Sequence, residues 1–295
     1  MVRKRLLFAL AIGFALWVGS AFAQQCPAPA KSAKRTATKK VAKHKTTAKV
    51  AHAKRSTTKQ AVAKGPKIDP KATEILKQMS DYLQTLGRFA VHTEGNREVV
   101  FPSGLTVDSL RATELKVERP NHLRADIMSA KRNVQIYYDG QNVKLFTPEQ
   151  KVWAEWPAPA TIGEVIARAQ KQYGLDLPAA DFLGRDSYQR MMGKATVAAY
   201  VGRSLVHGQM AHQLAFRGKD VDWQVWVKEG DQPLPLRIVI VDRAVKGSPR
   251  YEVTLTDWDT SPQFEESVFN FTPPEGASRI TVAEVKARAK QLAKR

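Results

Sequence analysis

The sequence predicts a mainly β protein of the α+β class. One antiparallel sheet of about eleven strands is expected, with an N-terminal helix and a mid-chain helical insert covering its concave face. Three observations support this prediction. Apolar residues recur at helical spacing between Asp69 and Gly87. From Phe89 onward they alternate with polar residues, apart from one helical interval between 162 and 192. The connections are short, which favours an antiparallel meander, and a twisted sheet of this many strands tends to curl.

The first helix is expected to begin at Asp69-Pro70, an N-cap residue followed by proline at the first helical position, and to stop at Gly87. Asp139-Gly140 lies between two alternating stretches and predicts a tight hairpin. The alternating stretches of this half are 89–93, 105–109, 115–117, 123–127, 134–138, 143–147 and 152–156.

The helical interval contains Ile162, Val165, Ile166 and Ala169 on one face of a helix that ends near Gly174. Two short helical turns are expected to follow, at 178–183 and 187–192. The strands predicted after them are 197–206, 210–216, 223–227, 236–241, 251–257 and 269–272.

The N-terminus has the pattern of a secretory signal peptide. Three basic residues at 3–5 precede an apolar run, Leu6–Val18, and a cleavage site at Ala21-Phe22-Ala23. The run is short for a membrane span, so cleavage after Ala23 is favoured over a retained anchor, and no transmembrane span is expected afterwards. The lone cysteine, Cys26, excludes an internal disulfide. Export without paired cysteines indicates the periplasm.

The formal net charge of +19 is concentrated at the two ends of the chain. Residues 1–67 contain 16 Lys and Arg and no acidic residue, whereas residues 68–280 contain 26 basic and 27 acidic residues. We therefore expect a disordered Lys/Ala/Thr-rich linker at 24–67, one folded domain at 68–280 and a basic amphipathic extension at 281–295. A nucleic-acid groove across the folded part is not supported. Lys31–Lys67 is either a solvated linker or a polycation that binds an anionic envelope surface.

Three motifs follow one another along the folded region. Val117–Leu123 contains Arg119-Pro120 at a strand end, Tyr138–Pro148 contains the Asp-Gly hairpin with an aromatic return strand, and Phe269–Gly276 reads F-x-F-x-P-P-x-G. In this order they resemble the LolA/LolB lipoprotein-carrier family over Asp69–Ile280. With Tyr173–Pro178 and Val221–Val227, the chain resembles more closely an uncharacterised group of periplasmic proteins in the same superfamily.

The resemblance implies an unclosed antiparallel half-barrel around helices, with a hydrophobic cavity that holds acyl chains in the carriers. It also implies that Arg119, which matches the arginine of the Arg-Pro motif, holds the lid helices by hydrogen bonds. The polycationic tail and the mid-chain insert depart from the carrier pattern, so cargo and partner contacts are not carried over.

An apolar cavity would bind an acyl chain by removing it from water, at about 0.8 kcal/mol per buried CH₂. The same alternation is also typical of an ordinary core packed against helices, so both interpretations stay open. The candidate lining is one face of the strands and two methionines of the insert: Leu123, Ile127, Ile136, Tyr138, Leu145, Met191, Met192, Trp223, Val225, Val227, Ile238 and Ile240.

The sequence contains no nucleophile elbow, phosphate loop, H-E-x-x-H zinc motif or dinucleotide fingerprint. We therefore predict no catalytic residue, cofactor or metal, and a non-enzymatic protein. The leading hypothesis is a periplasmic protein that holds lipid or lipoprotein acyl chains in an apolar cavity. The alternative is a cell-envelope binding or scaffold module anchored to anionic surfaces by its polycationic tail.

Overall fold

The computed structural model describes residues 67–130, 132–173, 184 and 187–285. Its helices are α1 (Pro70–Thr85), α2 (Ile162–Tyr173) and α3 (Ser187–Met192). The strands are β1 (Arg88–Val100), β2 (Thr106–Glu118), β3 (His122–Met128), β4 (Val134–Asp139), β5 (Asn142–Thr147), β6 (Val152–Pro157), β7 (Val197–Val206), β8 (Gln209–Arg217), β9 (Val221–Lys228), β10 (Pro235–Asp242), β11 (Arg250–Asp259) and β12 (Ser278–Arg279).

All twelve described strands belong to one sheet, in the order β12-β6-β5-β4-β3-β2-β1-β11-β10-β9-β8-β7. Neighbouring strands are antiparallel, except for β12, which pairs with β6 in parallel over two residues. The outermost strands, β7 and β12, do not pair with each other in the described residues, so the sheet is unclosed. The predicted mainly β, unclosed antiparallel half-barrel is therefore confirmed, with twelve strands instead of about eleven.

Local sequence signals explain where several elements begin and end. The Asp69 side chain accepts a hydrogen bond from the backbone N–H of Lys71 at 2.9 Å, so it caps α1 as predicted. The helix ends at Thr85, two residues before Gly87. The Asp139-Gly140 hairpin is confirmed, because β4 ends at Asp139 and Gly140 has a positive φ of 89° in the two-residue turn before β5.

The prediction of a strand at Phe269–Thr272 is wrong. This segment belongs instead to a largely irregular stretch, residues 260–280, which includes a 3₁₀ turn at Glu266–Val268 and ends with β12. We call this stretch the C-terminal strap. Its aromatic residues alternate because they pack on the sheet rather than extend it: Phe269 lies against His122 of β3, at 5.4 Å between ring centroids. Phe271 lies against three rings, Tyr137 of β4, Phe146 of β5 and Trp153 of β6. Pro273 and Pro274 have no N–H to donate to a ladder, and pairing begins only at Ser278.

The core lies between one face of the sheet and the helices, and we call this face concave and the opposite face convex. Successive residues of a strand point to opposite faces, so the strand register assigns each side chain to one of them. The strap lies on the convex face. The helical residues buried in the concave core are Ala72, Ile75, Leu76, Met79 and Leu83 of α1, Ile162 and Ile166 of α2, and Met191 of α3.

Candidate functional site

The candidate site is the concave face beneath the three helices. The buried sheet residues of its apolar cluster are Phe89, Val91, Val117, Tyr138, Val143, Ala198, Leu214, Phe216, Val225, Val227, Ile238 and Val253. Leu76 and Met79 of α1 and Val225 of β9 have no exposed surface. Within the described residues, the side chains of this cluster are therefore packed against one another and shielded from solvent.

Ten of the twelve predicted lining residues belong to this cluster. Five are buried: Tyr138, Met191, Val225, Val227 and Ile238. Five are partly buried and pack against them: Leu123, Ile136, Met192, Trp223 and Ile240. Ile127 and Leu145 lie on the same face by register and are half-buried, but they are outside the cluster. The predicted lining residues of the strands therefore share one face of the sheet. A cavity at these residues stays a prediction.

The candidate lining omitted several large side chains that are central to the cluster. Leu214 and Phe216 of β8 lie directly beside Val225 and Trp223 of β9, and the rings of Phe216 and Trp223 stack at 3.7 Å. Val253 of β11 is the register partner of Ile238. All three continue the period-two pattern of their own strands, so the signal was present in the sequence.

Arg119 lies at the corner between β2 and β3 and contacts the end of α1. Its Nε donates a hydrogen bond to the carbonyl of Leu86 at 3.2 Å, and its guanidinium carbon lies 5.8 Å from the ring centroid of Phe89. The neighbouring Pro120 carbonyl accepts the N–H of Ile162, the first residue of α2. One corner of the sheet therefore holds the end of α1 and the start of α2. Whether Arg119 acts as the lid-holding arginine stays a prediction.

A buried pair of hydroxyl groups connects α1 to α3. The Oγ atoms of Ser80 and Ser187 are 2.6 Å apart, and the two residues are 0% and 1% exposed. Gln84 donates a further hydrogen bond to the Ser80 hydroxyl at 3.3 Å. This pair is a polar contact within an apolar layer. It fixes α3 at one place on α1, and no sequence motif indicated it.

The connection between β6 and α2 is anchored from the concave face. The hydroxyl of the buried Tyr138 donates a hydrogen bond to the carbonyl of Pro159. Burial raises the pKa of Tyr138, with help from the negative charges of Glu164 and Asp139, so the phenol stays protonated and remains a donor. Thr161 and Glu164 exchange side-chain to backbone hydrogen bonds across the first turn of α2, as in a capping box. The start of α2 is therefore well fixed.

Other predicted features lie outside the described residues: the signal peptide with its cleavage site at Ala23, residues 24–66 of the linker, the helical turn at 178–183 and residues 286–295. No helix in the described part of the chain is long and apolar enough to cross a membrane.

Comparison with known proteins identifies the family. Residues 72–283 match the family described as "Predicted periplasmic protein (DUF2092)". The chain belongs to this family. This membership confirms the expected group of periplasmic proteins and the predicted periplasmic location. No curated protein matches the chain.

Several solved structures are similar to this one at low sequence identity. The lipoprotein LppX of Mycobacterium tuberculosis is 13% identical, with a TM-score of 0.43, over 66% of this chain and 98% of LppX. A LolA superfamily protein from Nitrosomonas europaea is 13% identical, with a TM-score of 0.35, over 68% of this chain and 97% of that protein. An uncharacterized conserved protein from Thermus thermophilus is 11% identical, with a TM-score of 0.42, over 72% of this chain and 99% of that protein.

Proposed function

We propose that this periplasmic protein binds the acyl chains of lipids or lipoproteins on its concave face after part of the helical cover moves aside. The observation that carries the proposal is the difference in extent between the apolar surface of the sheet and the short helix α3 that covers part of it. A continuous apolar surface contributed by strands from β1 to β11 is covered on one part by α3, which has only six residues. A helix this short has little stability of its own and depends on its packing contacts.

An acyl chain can replace the contacts that α3 makes. The helix contributes one buried apolar residue, Met191, and the partly buried Met192 and Tyr188. Full burial of a side chain of this size is worth about 1.5–3 kcal/mol, whereas an acyl chain gains about 0.8 kcal/mol per buried CH₂. A long chain therefore offsets the displacement of α3 without any charged group. Methionine side chains also adapt their shape to variable neighbours.

The direct test is native mass spectrometry of the full chain purified from periplasm, followed by titration with a fluorescent long-chain fatty acid. We expect a bound lipid that is released by organic solvent, and saturable uptake of the fatty acid. Repeated absence of lipid together with no uptake would refute the proposal.

A matched pair of variants assigns binding to the concave face. Val225 on the concave face and Val239 on the convex face are 0% and 1% exposed. Val225→Thr places a hydroxyl in the acyl-binding surface, at a cost of about 1–3 kcal/mol. We expect fatty-acid binding to weaken about tenfold, since 1.4 kcal/mol corresponds to a factor of ten. Val239→Thr makes the same chemical change on the other face and should leave binding within twofold. Equal weakening by both variants would contradict the assignment.

We also propose a second function, adhesion to anionic envelope surfaces, because Lys31–Lys67 contains 13 basic residues and no acidic residue. Each lysine near such a surface contributes about 1 kcal/mol at low salt. Deletion of residues 31–66 should abolish sedimentation with phosphatidylglycerol vesicles. Addition of 0.5 M NaCl should have the same effect, because it shortens the Debye screening length to a few Å. Equal sedimentation of the deletion variant would refute this second function. That result would leave the concave-face proposal unaffected.

A further inference from the structure

The hairpin formed by β1 and β2 extends beyond the strands on either side of it. β2 pairs with β1 along its whole length, Thr106–Glu118, but pairs with β3 only from Ala112 onward. Thr106–Arg111 therefore has no strand partner on the β3 side in the described part of the sheet. We call these six residues the β2 free edge. Backbone N–H and C=O groups along such an edge form a template for another strand.

A hollow of about 540 Å³ lies beside this edge on the convex face, and it extends over β11, β1, β2 and the end of β3. Besides Gly95, Arg111, Ala112, Glu252, Thr254 and residues 129–130, it is lined by Glu94, Asn96, Leu110 and Met128. The register places these four side chains on the convex face, opposite the proposed acyl-binding surface. Leu110 and Met128 are 67% and 40% exposed, which leaves two large apolar side chains uncovered beside the free edge.

Among the described residues, two carboxylates without an ion-pair partner lie at or beside the β1–β2 part of the hollow, whereas arginines accompany its β11 part. The Oδ1 atom of Asn96 is buried and has no hydrogen-bond donor. The carboxylates of Glu94 and Asp108 lie on the same convex face, and neither has an ion-pair partner in the described residues. A third carboxylate, Glu252, is already paired with Arg237 and Arg250. Arg111 also lines the hollow, but the register directs its side chain to the concave face.

We propose that the β2 free edge binds an extended segment of a partner protein, in which basic residues alternate with apolar ones. The segment adds a strand to β2 in the space that β3 leaves. Its basic side chains point to the convex face, where their heads reach Glu94 and Asp108, and their aliphatic stems cover Leu110 and Met128. Its apolar side chains point to the concave face, beside Val107.

The other long edge of the sheet is less suited to this role. The first part of the β7 edge already pairs with the chain before α1: the N–H of Asp69 donates to the carbonyl of Ala198, and the Asp69 side chain accepts the N–H of Tyr200. Further along, Arg203 is held by Glu229 through two hydrogen bonds. The β7 edge therefore serves as an internal reference in the test.

The test uses the full chain and a fluorescent eight-residue peptide of alternating Lys and Val, with fluorescence anisotropy as the measurement. We expect saturable binding by this peptide. The Glu-Val counterpart should bind at least tenfold more weakly, because its charge is wrong. A Lys-Val peptide with N-methylated amides should also bind at least tenfold more weakly, because it cannot donate to the edge. Equal binding of all three peptides would overturn the proposal.

Two sets of variants with the same charge change locate the site. Glu94→Lys with Asp108→Lys should weaken Lys-Val peptide binding at least tenfold. Glu74→Lys with Asp231→Lys, at exposed positions elsewhere, should leave it within twofold. Hydrogen exchange on the unmodified protein should show slower exchange at Thr106–Arg111 when peptide is added. Protection at Val201–Val206 of β7 instead would overturn the assignment. The assignment would also be overturned if Thr106–Arg111 were already protected in the absence of peptide and lost this protection on deletion of residues 31–66.

This inference does not depend on the concave face. Val225→Thr should leave peptide binding unchanged, and the Glu94 and Asp108 variants should leave fatty-acid uptake unchanged. A protein that fails one test and passes the other therefore refutes one proposal and supports the other.

Discussion

The buried hydroxyl pair between Ser80 and Ser187 makes a quantitative prediction about how the cover is held. Ser80→Ala removes one hydroxyl and leaves that of Ser187, which is 1% exposed, without its partner at 2.6 Å. An unsatisfied buried hydroxyl costs about 1–3 kcal/mol. Alanine is the better helix former by about 0.5 kcal/mol, which offsets part of this cost. We therefore expect Ser80→Ala to lower the free energy of unfolding by about 0.5–2.5 kcal/mol. Ser187→Ala should lower it by less, because the Ser80 hydroxyl keeps its hydrogen bond from Gln84.

The double variant should behave differently, because it removes both polar groups and leaves no hydroxyl unpaired. Replacement of both partners by apolar groups is close to neutral. Urea unfolding of the wild type, both single variants and the double variant forms a complete double-mutant cycle. We expect the double variant within about 1 kcal/mol of wild type, and a coupling energy of about 1–2 kcal/mol or more. Additive losses would show that the two hydroxyls do not depend on each other, and the reasoning would fail.

The same variants test the proposed movement of α3. If the helix must leave its place on α1 before an acyl chain enters, a contact weakened by about 1.4 kcal/mol raises the open population about tenfold. Uptake of fluorescent fatty acid should then be faster in either single variant than in wild type, and should return to the wild-type rate in the double variant. Uptake at one rate in all four proteins would show that α3 does not control entry.

Three further predictions concern the contacts that hold the sheet and the cover. Phe271→Ala removes three ring contacts and should lower the free energy of unfolding by about 1–4 kcal/mol, measured by urea unfolding; no loss would contradict the packing role of the strap. Although partial burial of Asp139 opposes the effect, hydrogen bonds from Lys144 and two backbone N–H groups lower its pKa from the ordinary 3.8. The stability that the Asp139 carboxylate contributes is therefore fully present above pH 3.8, and it is lost as the pH falls through the lower pKa of the folded protein. The difference in free energy of unfolding between wild type and Asp139→Asn should shrink only in that acid range. Arg119→Gln removes the hydrogen bond to the Leu86 carbonyl and should speed hydrogen exchange in the last turn of α1, while exchange in its first turn stays unchanged.

Much of the architecture could be predicted because it depends on local patterns. The alternation of apolar residues requires one face of each strand to be buried, and the Asp69 cap and the Asp139-Gly140 turn are chemical signals carried by neighbouring residues. The same alternation misled the prediction at Phe269 and Phe271. Two rings that pack on a sheet from outside have the same spacing as two rings of a strand, and the missing ladder partners are not visible in the sequence.

The sequence predicted which residues share the face of the candidate site, but not how far the apolar cluster extends along it. The strand pattern placed Ile127 and Leu145 on the correct face, yet the apolar cluster stops short of them, because the reach of the cover depends on tertiary packing. The partnership of Ser80 with Ser187 joins residues 107 positions apart, and serines are common on helix surfaces. The β2 free edge depends on the difference in length between β2 and β3, which only the observed register defines.

The C-terminal strap has a consequence for the shape of the half-barrel when the helices move. The strap leaves β11 in the middle of the sheet, passes over the convex side and joins β6 near the far edge through β12, with Phe269 and Phe271 pressed onto β3 to β6 between those two points. The strap therefore contacts the convex side of the sheet at strands that lie far apart in the sheet order. These contacts favour the curved form of the sheet and do not involve the helices. A molecule that lost its helical contacts for a moment would therefore keep the curvature of its concave face.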